Sequence, residues 1–150
     1  MADRYLEDFT VGEVFKAGGL TFTESMIVDF ALIYDPQPFH IDVEAAKKSV
    51  FGGLSASGMF TLSMVFRMFY QEGLLRVCNM GARSFDEIEL PRPVMAGDTI
   101  RSEVEVIEAR VSRSKPDRGL LRLRYKGFNQ HDEMVISYVI PHIVRRRPEA

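Results

Sequence analysis

No charged residue falls between Ser49 and Phe66. In a chain that is 27% charged, such a stretch reads best as carrying a buried core element, and what buries that element decides the architecture. Its first half holds Gly52, Gly53, Ser55, Ser57 and Gly58, so the truly apolar part is far shorter than the roughly 20 residues a membrane span needs. What remains is a glycine- and serine-rich loop that feeds a core helix. From about Ala56, residues Met59, Leu62, Val65, Phe66 and Phe69 recur at helical spacing, with Phe60 and Met64 on neighbouring faces. This predicts a helix buried on nearly all sides, ending near Gly73, with Met59, Met64 and Met68 as core.

Something must cover that helix, and the rest of the chain reads mostly as antiparallel sheet. From Val11 to Thr21, residues Val14, Phe15, Leu20 and Phe22 suggest a short first strand with a bulge or bend at Gly18-Gly19. Thr23 is placed to cap a helix running to about Tyr34, and Pro36 ends it by forcing Asp35 out of the helical region. Pro36 to Ile41 is expected to be extended, because two prolines fix two φ angles. Asp42 is placed to cap a short helix through Val43, Ala45, Ala46 and Lys47. Beyond the core helix four strands are expected. The first lies within Val77–Leu90. Thr99–Ile107 has Ile100, Val104 and Val106 facing one way and Arg101, Glu103 and Glu105 the other. A strand carrying Leu121, Leu123 and Tyr125 follows, alternating with Arg122, Arg124 and Lys126, and then Val135–Val144. Acids on one strand and bases on the next suit cross-strand pairing on a solvent face. One domain over residues 1–150, of the α+β class with a sheet around a single buried helix, is the resulting expectation.

Composition narrows the function. A net charge of −2, from 19 basic and 21 acidic residues, gives no global field for nucleic acid or an anionic membrane. The single Cys78 excludes an intramolecular disulfide and a CxxC metal knuckle, and it reads as a packed thiol in a strand. A cytoplasmic protein is expected, since the first eight residues carry three acids and no apolar signal stretch. Arg145-Arg146-Arg147 reads as a solvated tail, and neither His131 nor His142 has a partner that the sequence names.

The chemistry-bearing residues lie just before the uncharged stretch. Asp35 and His40 stand five residues apart across a stiff Pro-Gln-Pro segment, as an acid/base pair would require. The same spacing is also met by a turn-capping aspartate beside a surface histidine, which is the commoner outcome for an arbitrary match. Asp35 sits at a helix C-terminus, where the macrodipole disfavours an acid, which hints at another reason for its placement. Gly58 falls at the mouth of the core helix, where free N–H groups suit a carbonyl oxygen that gains negative charge, although Ser/Gly runs are mostly only turns.

YDPQPFHID, FGGLSASGMF and LPRPVMAGDTI together resemble the MaoC-like dehydratases, the (R)-specific enoyl-CoA hydratases of the hot-dog fold. The resemblance reaches from YLEDFTVGEVF through nearly the whole chain. It implies a hydratase that adds water across a trans-2-enoyl thioester to give the (3R)-hydroxyacyl thioester. Asp35 and His40 would be catalytic, the Gly58 N–H would take the thioester carbonyl, and Ser57 and Phe39 would touch substrate. It implies no metal and no cofactor beyond coenzyme A in the substrate, an acyl-CoA or acyl-carrier-protein thioester as partner, and a homodimer. The chain departs from the family at Ser57, where histidine is frequent, at Gln37-Pro38, where Asn-Pro is common, and at Phe66, where some hydratases place a serine. A hot-dog acyl-CoA thioesterase and a non-catalytic acyl-CoA-binding subunit are the competing readings.

Overall fold

The structure is a computed structural model, and it describes residues 3–150. After a 3-10 turn at Leu6–Asp8 come β1 (Val14–Thr21), α1 (Glu24–Tyr34), α2 (Pro38–Ile41), α3 (Val43–Lys47) and α4 (Gly58–Tyr70). The remaining elements are strands: β2 (Asn79–Ala82), β3 (Asp86–Glu89), β4 (Thr99–Val111), β5 (Arg118–Phe128) and β6 (Met134–Arg145). All pairings are antiparallel, in the order β1-β4-β5-β6-β2, and β3 also pairs with β6. β2 lies against the His142–Val144 end of β6 and β3 against the Ser137–Val139 end, so two short strands share one edge.

The alternation that defined β4 and β5 is realised. Ile100, Val104, Val106, Leu121, Leu123 and Tyr125 are buried, and Glu103 faces Lys126 while Glu105 faces Arg124 across the ladder. These residues bed α4 through Phe60, Val65, Met68 and Phe69, and Tyr138 donates to the Leu62 carbonyl at 2.9 Å. Thr23 caps α1 by accepting from the Met26 N–H, Asp42 caps α3, and β1 shifts register between Gly18 and Leu20 as the bulge required.

Five expectations need correction. Residues 36–41 are not extended throughout: Pro38 opens the short helix α2, since proline at the first helical position gives up only an N–H that would be unpaired anyway. The stretch from Val77 to Leu90 is two strands rather than one, so five strands follow α4, and buried Cys78 sits in the turn before β2. α4 is not buried on nearly all sides. Met59, Ser63, Arg67 and Tyr70 form an exposed stripe, and Met59, 53% exposed, is not core. The C-terminal arginines are no free tail: Arg146 binds Glu7, and Arg147 binds Asp8 and lies over the Tyr5 ring. Finally, His142 has a partner, the Tyr125 hydroxyl at 2.7 Å.

Candidate active site

Backbone pairing builds the site. The turn Met95–Asp98 is closed by the Asp98 carboxylate, which accepts from the Met95 N–H, and Gly97 takes the positive φ that the turn demands. This turn holds the chain opposite it. The Ala56 N–H donates to Val94 O at 2.8 Å and the Ala96 N–H to Leu54 O at 3.0 Å, so Leu54–Ala56 is clamped like a short strand. The clamped segment then fixes α2, because the Ser55 N–H donates to Phe39 O and His40 Nδ1 meets the Ser55 carbonyl at 2.5 Å.

That last contact sets the histidine's chemistry. A carbonyl only accepts, so Nδ1 carries a proton, and the tautomer this selects has Nε2 as its acceptor. Nε2 lies 3.4 Å from Asp35 Oδ2. This is long for a direct hydrogen bond and leaves both atoms able to grip a third. His40 is 6% exposed, and its ring meets the edge of Phe39 at 4.6 Å between centroids. The other Asp35 oxygen, Oδ1, accepts from Gln37 Nε2 at 2.6 Å. Burial raises the Asp35 pKa, but the Ser57 hydroxyl, the Gln37 amide and the His40 ring outweigh it, so the carboxyl stays below its ordinary value of 3.8. Asp35 is therefore a carboxylate at neutral pH.

Ser57 is the N-cap residue of α4, yet its hydroxyl makes no capping bond. Its side chain, 1% exposed, lies near enough to Asp35 to depress that pKa but short of full hydrogen-bond geometry. Gly58, Met59 and Phe60 follow with N–H groups that have no acceptor within the helix, and the dipole's positive end lies there. The space where Gly58 lacks a side chain is taken by Leu90, whose Cδ1 stands 2.5 Å from the position a Cβ would occupy. Among the described residues, no group of three or more His, Cys, Asp and Glu side chains is placed to hold a metal.

The structure thus gathers Asp35, His40, Phe39, Ser57 and Gly58 at one place, around the start of α4. Phe66 lies two helical turns further on, stacked on Tyr70 at 5.6 Å and packed against Tyr125 and His142, so it adds nothing polar there. Three participants were not read from the sequence as site residues. Gln37 sits two residues from Asp35, and its proximity was the available signal. The Ser55 carbonyl and Leu90 act through long-range contacts that no spacing reveals.

The family description "MaoC like domain" matches residues 8–121. The chain belongs to the MaoC-like domain family. Within the family it is 30% identical over 141 residues to the uncharacterised protein YdeM of Bacillus subtilis, covering 94% of this chain and 99% of YdeM. The MaoC-like dehydratase of Rhodospirillum rubrum superposes with a TM-score of 0.87 at 34% identity, over 97% of this chain and 99% of that one. A monoamine oxidase regulatory protein of Archaeoglobus superposes at 0.88 with 31% identity, over 97% of each chain. An (R)-hydratase from A. caviae involved in PHA biosynthesis shares the fold alone, with 21% identity and a TM-score of 0.73 over 94% of this chain and 99% of that one. The architecture of this MaoC-like chain is the hot-dog fold, a sheet wrapped round one long helix. No described helix is long and apolar enough to cross a membrane.

Proposed function

We propose that this MaoC-like protein is a hydro-lyase that adds water across the double bond of a trans-2-enoyl thioester, giving the (3R)-3-hydroxyacyl thioester. The observation that carries the reading is the His40–Asp35 pair, with Nε2 and Oδ2 3.4 Å apart and Nδ1 committed to a carbonyl, beside the uncapped start of α4. Two acceptors at that separation suit one water between them. The thioester carbonyl lies on the Gly58 N–H, where positive potential stabilises the enolate oxygen more than the ground-state carbonyl. Asp35 Oδ2 orients the water and His40 Nε2 takes its proton as the oxygen bonds to C3. The C2–C3 π pair moves into the enolate, and the imidazolium then returns the proton to C2. One water is added and the enzyme is restored. The thioester itself activates C2, so the reaction draws on no cofactor beyond coenzyme A or the carrier-protein arm in the substrate.

The same reading takes the protein as a cytoplasmic homodimer joined along the edge formed by β2 and β3. There the half-exposed Phe85 and Ile88 are unusual for a free sheet edge. The test of the chemistry is hydration of crotonyl-CoA followed at the enoyl chromophore. Asp35→Asn and His40→Ala are each expected to cost at least about 10²-fold in kcat. Undiminished turnover in both variants defeats the reading, and thiol release from a saturated acyl-CoA would point to a thioesterase instead.

A further inference from the structure

Beside the start of α4 lies a cavity of about 240 Å3. Phe51, Thr61, Leu90, Pro93, Val94 and Val135 line it together with Arg92, whose guanidinium is paired with Glu133. Two of its walls are shared with the site. The Phe51 ring packs on Phe39 at 5.2 Å, and Phe39 in turn meets His40. Leu90 covers the Cα face of Gly58, the residue proposed to hold the thioester carbonyl. Thr61 belongs to both as well, since its hydroxyl donates to Ser57 O at 3.3 Å in the first turn of the helix. A mostly apolar cavity therefore borders the helix mouth through Leu90 and Thr61 and is separated from His40 by the Phe51 and Phe39 rings.

The polar machinery acts on C2, C3 and the carbonyl, so the substrate's hydrocarbon end needs an apolar space next to it. The pantetheine arm, with its amides, is a poorer match for such walls. We propose that this cavity receives the acyl chain and that Leu90 is the specificity-determining residue that limits its length. The proposal rests on the thioester reading above. A volume of about 240 Å3 falls below the roughly 300–1,000 Å3 of pockets that take drug-sized ligands, which suits a short chain. Leu90 is 56% exposed and lies between the end of β3 and Pro91, so its tip changes rotamer without disturbing a packed core. With the tip over Gly58, the helix mouth is covered. With the tip turned aside, the helix mouth and the cavity become continuous.

Butyryl-, hexanoyl- and octanoyl-CoA are titrated calorimetrically into the wild type, Leu90→Ala and Leu90→Phe, and the hydration of the matching enoyl-CoAs is assayed alongside. The wild type is expected to gain little affinity beyond the shortest chain. Leu90→Ala is expected to gain up to about fourfold per added methylene, the increment for burying one CH2. Leu90→Phe is expected to reject hexanoyl-CoA. In hydration the same ordering appears in KM more than in kcat. Identical chain-length profiles in all three proteins overturn the assignment of Leu90. Leu90-dependent binding without hydration sinks the reaction and leaves the acyl cavity standing, while absence of binding by every acyl-CoA defeats both.

Discussion

A histidine inside a protein core is either neutral or paired with a charge, and among the described residues no charged group pairs with His142. It is 2% exposed, its Nε2 contacts the Tyr125 hydroxyl, its Nδ1 has no hydrogen-bond partner among the described residues, and the Tyr125 and Phe66 rings pack against it. Burial takes its pKa from 6.5 down to about 4. The unfolded chain accepts this proton first, so the contribution to stability is complete above about pH 6.5 and is lost as pH falls towards 4. The loss is on the order of 3 kcal/mol across that window. The depressed carboxyls of Glu7, Asp8 and Asp35 begin to weaken the fold only below their ordinary values of 4.5 and 3.8, which leaves the upper part of the window to His142. Urea unfolding at about pH 7 and about pH 5 is expected to show about 2 kcal/mol of that loss in the wild type and little change in His142→Phe. Residues close in the chain were the legible ones at this scale. Asp35 and His40 could be paired across four intervening residues. Tyr125 and His142 could not, because they meet only through the β5–β6 register, which the turn and the buried pattern set together.

Among the elements, periodicity was legible wherever one face is wet. β4 and β5 alternate because water lies on one side, and Thr23 and Asp42 announce their helices through the hydrogen bonds they make. The reading failed where tertiary pairing overrides local preference. Two prolines favoured an extended 36–41 segment, yet Pro38 serves as the first residue of α2. The run to Leu90 looked like one strand, but it breaks between Ala82 and Asp86 as it passes from one end of β6 to the other. Gly119 gives an element-scale test. At the start of β5 it lies against the carbonyl of Arg110 on β4 and beneath Leu6 of the 3-10 turn, so a methyl group would strike backbone on one side and core on the other. Gly119→Ala is expected to cost about 1–3 kcal/mol, read as a lowered Tm. An unchanged Tm would show that the hairpin opens at that point without penalty.

At the scale of the molecule, the α+β class and the sheet around one helix were legible because they follow from one uncharged stretch and several amphipathic ones. The β1-β4-β5-β6-β2 order, the exposed stripe on α4 and the clasp of Arg146 and Arg147 on Glu7 and Asp8 were not, because each depends on which distant segments meet. The proposed homodimer is tested here. Sedimentation is expected to give twice the chain mass of 17.1 kDa for the wild type and a single chain for Ile88→Glu, which would bury a carboxylate in the joined edge. The hold on His40 carries a consequence of its own. The imidazole is oriented by the main-chain oxygen of residue 55, and that oxygen is placed by the pairing of 54–56 with 94–96. Every amino acid supplies such an oxygen, so this main-chain contact, unlike the longer one from the Ser55 hydroxyl at 3.4 Å, is insulated from drift in the identity of residue 55. It is exposed instead to changes of chain length. A one-residue deletion between Met95 and Asp98 would slide the clamp and release the histidine without altering either member of the pair.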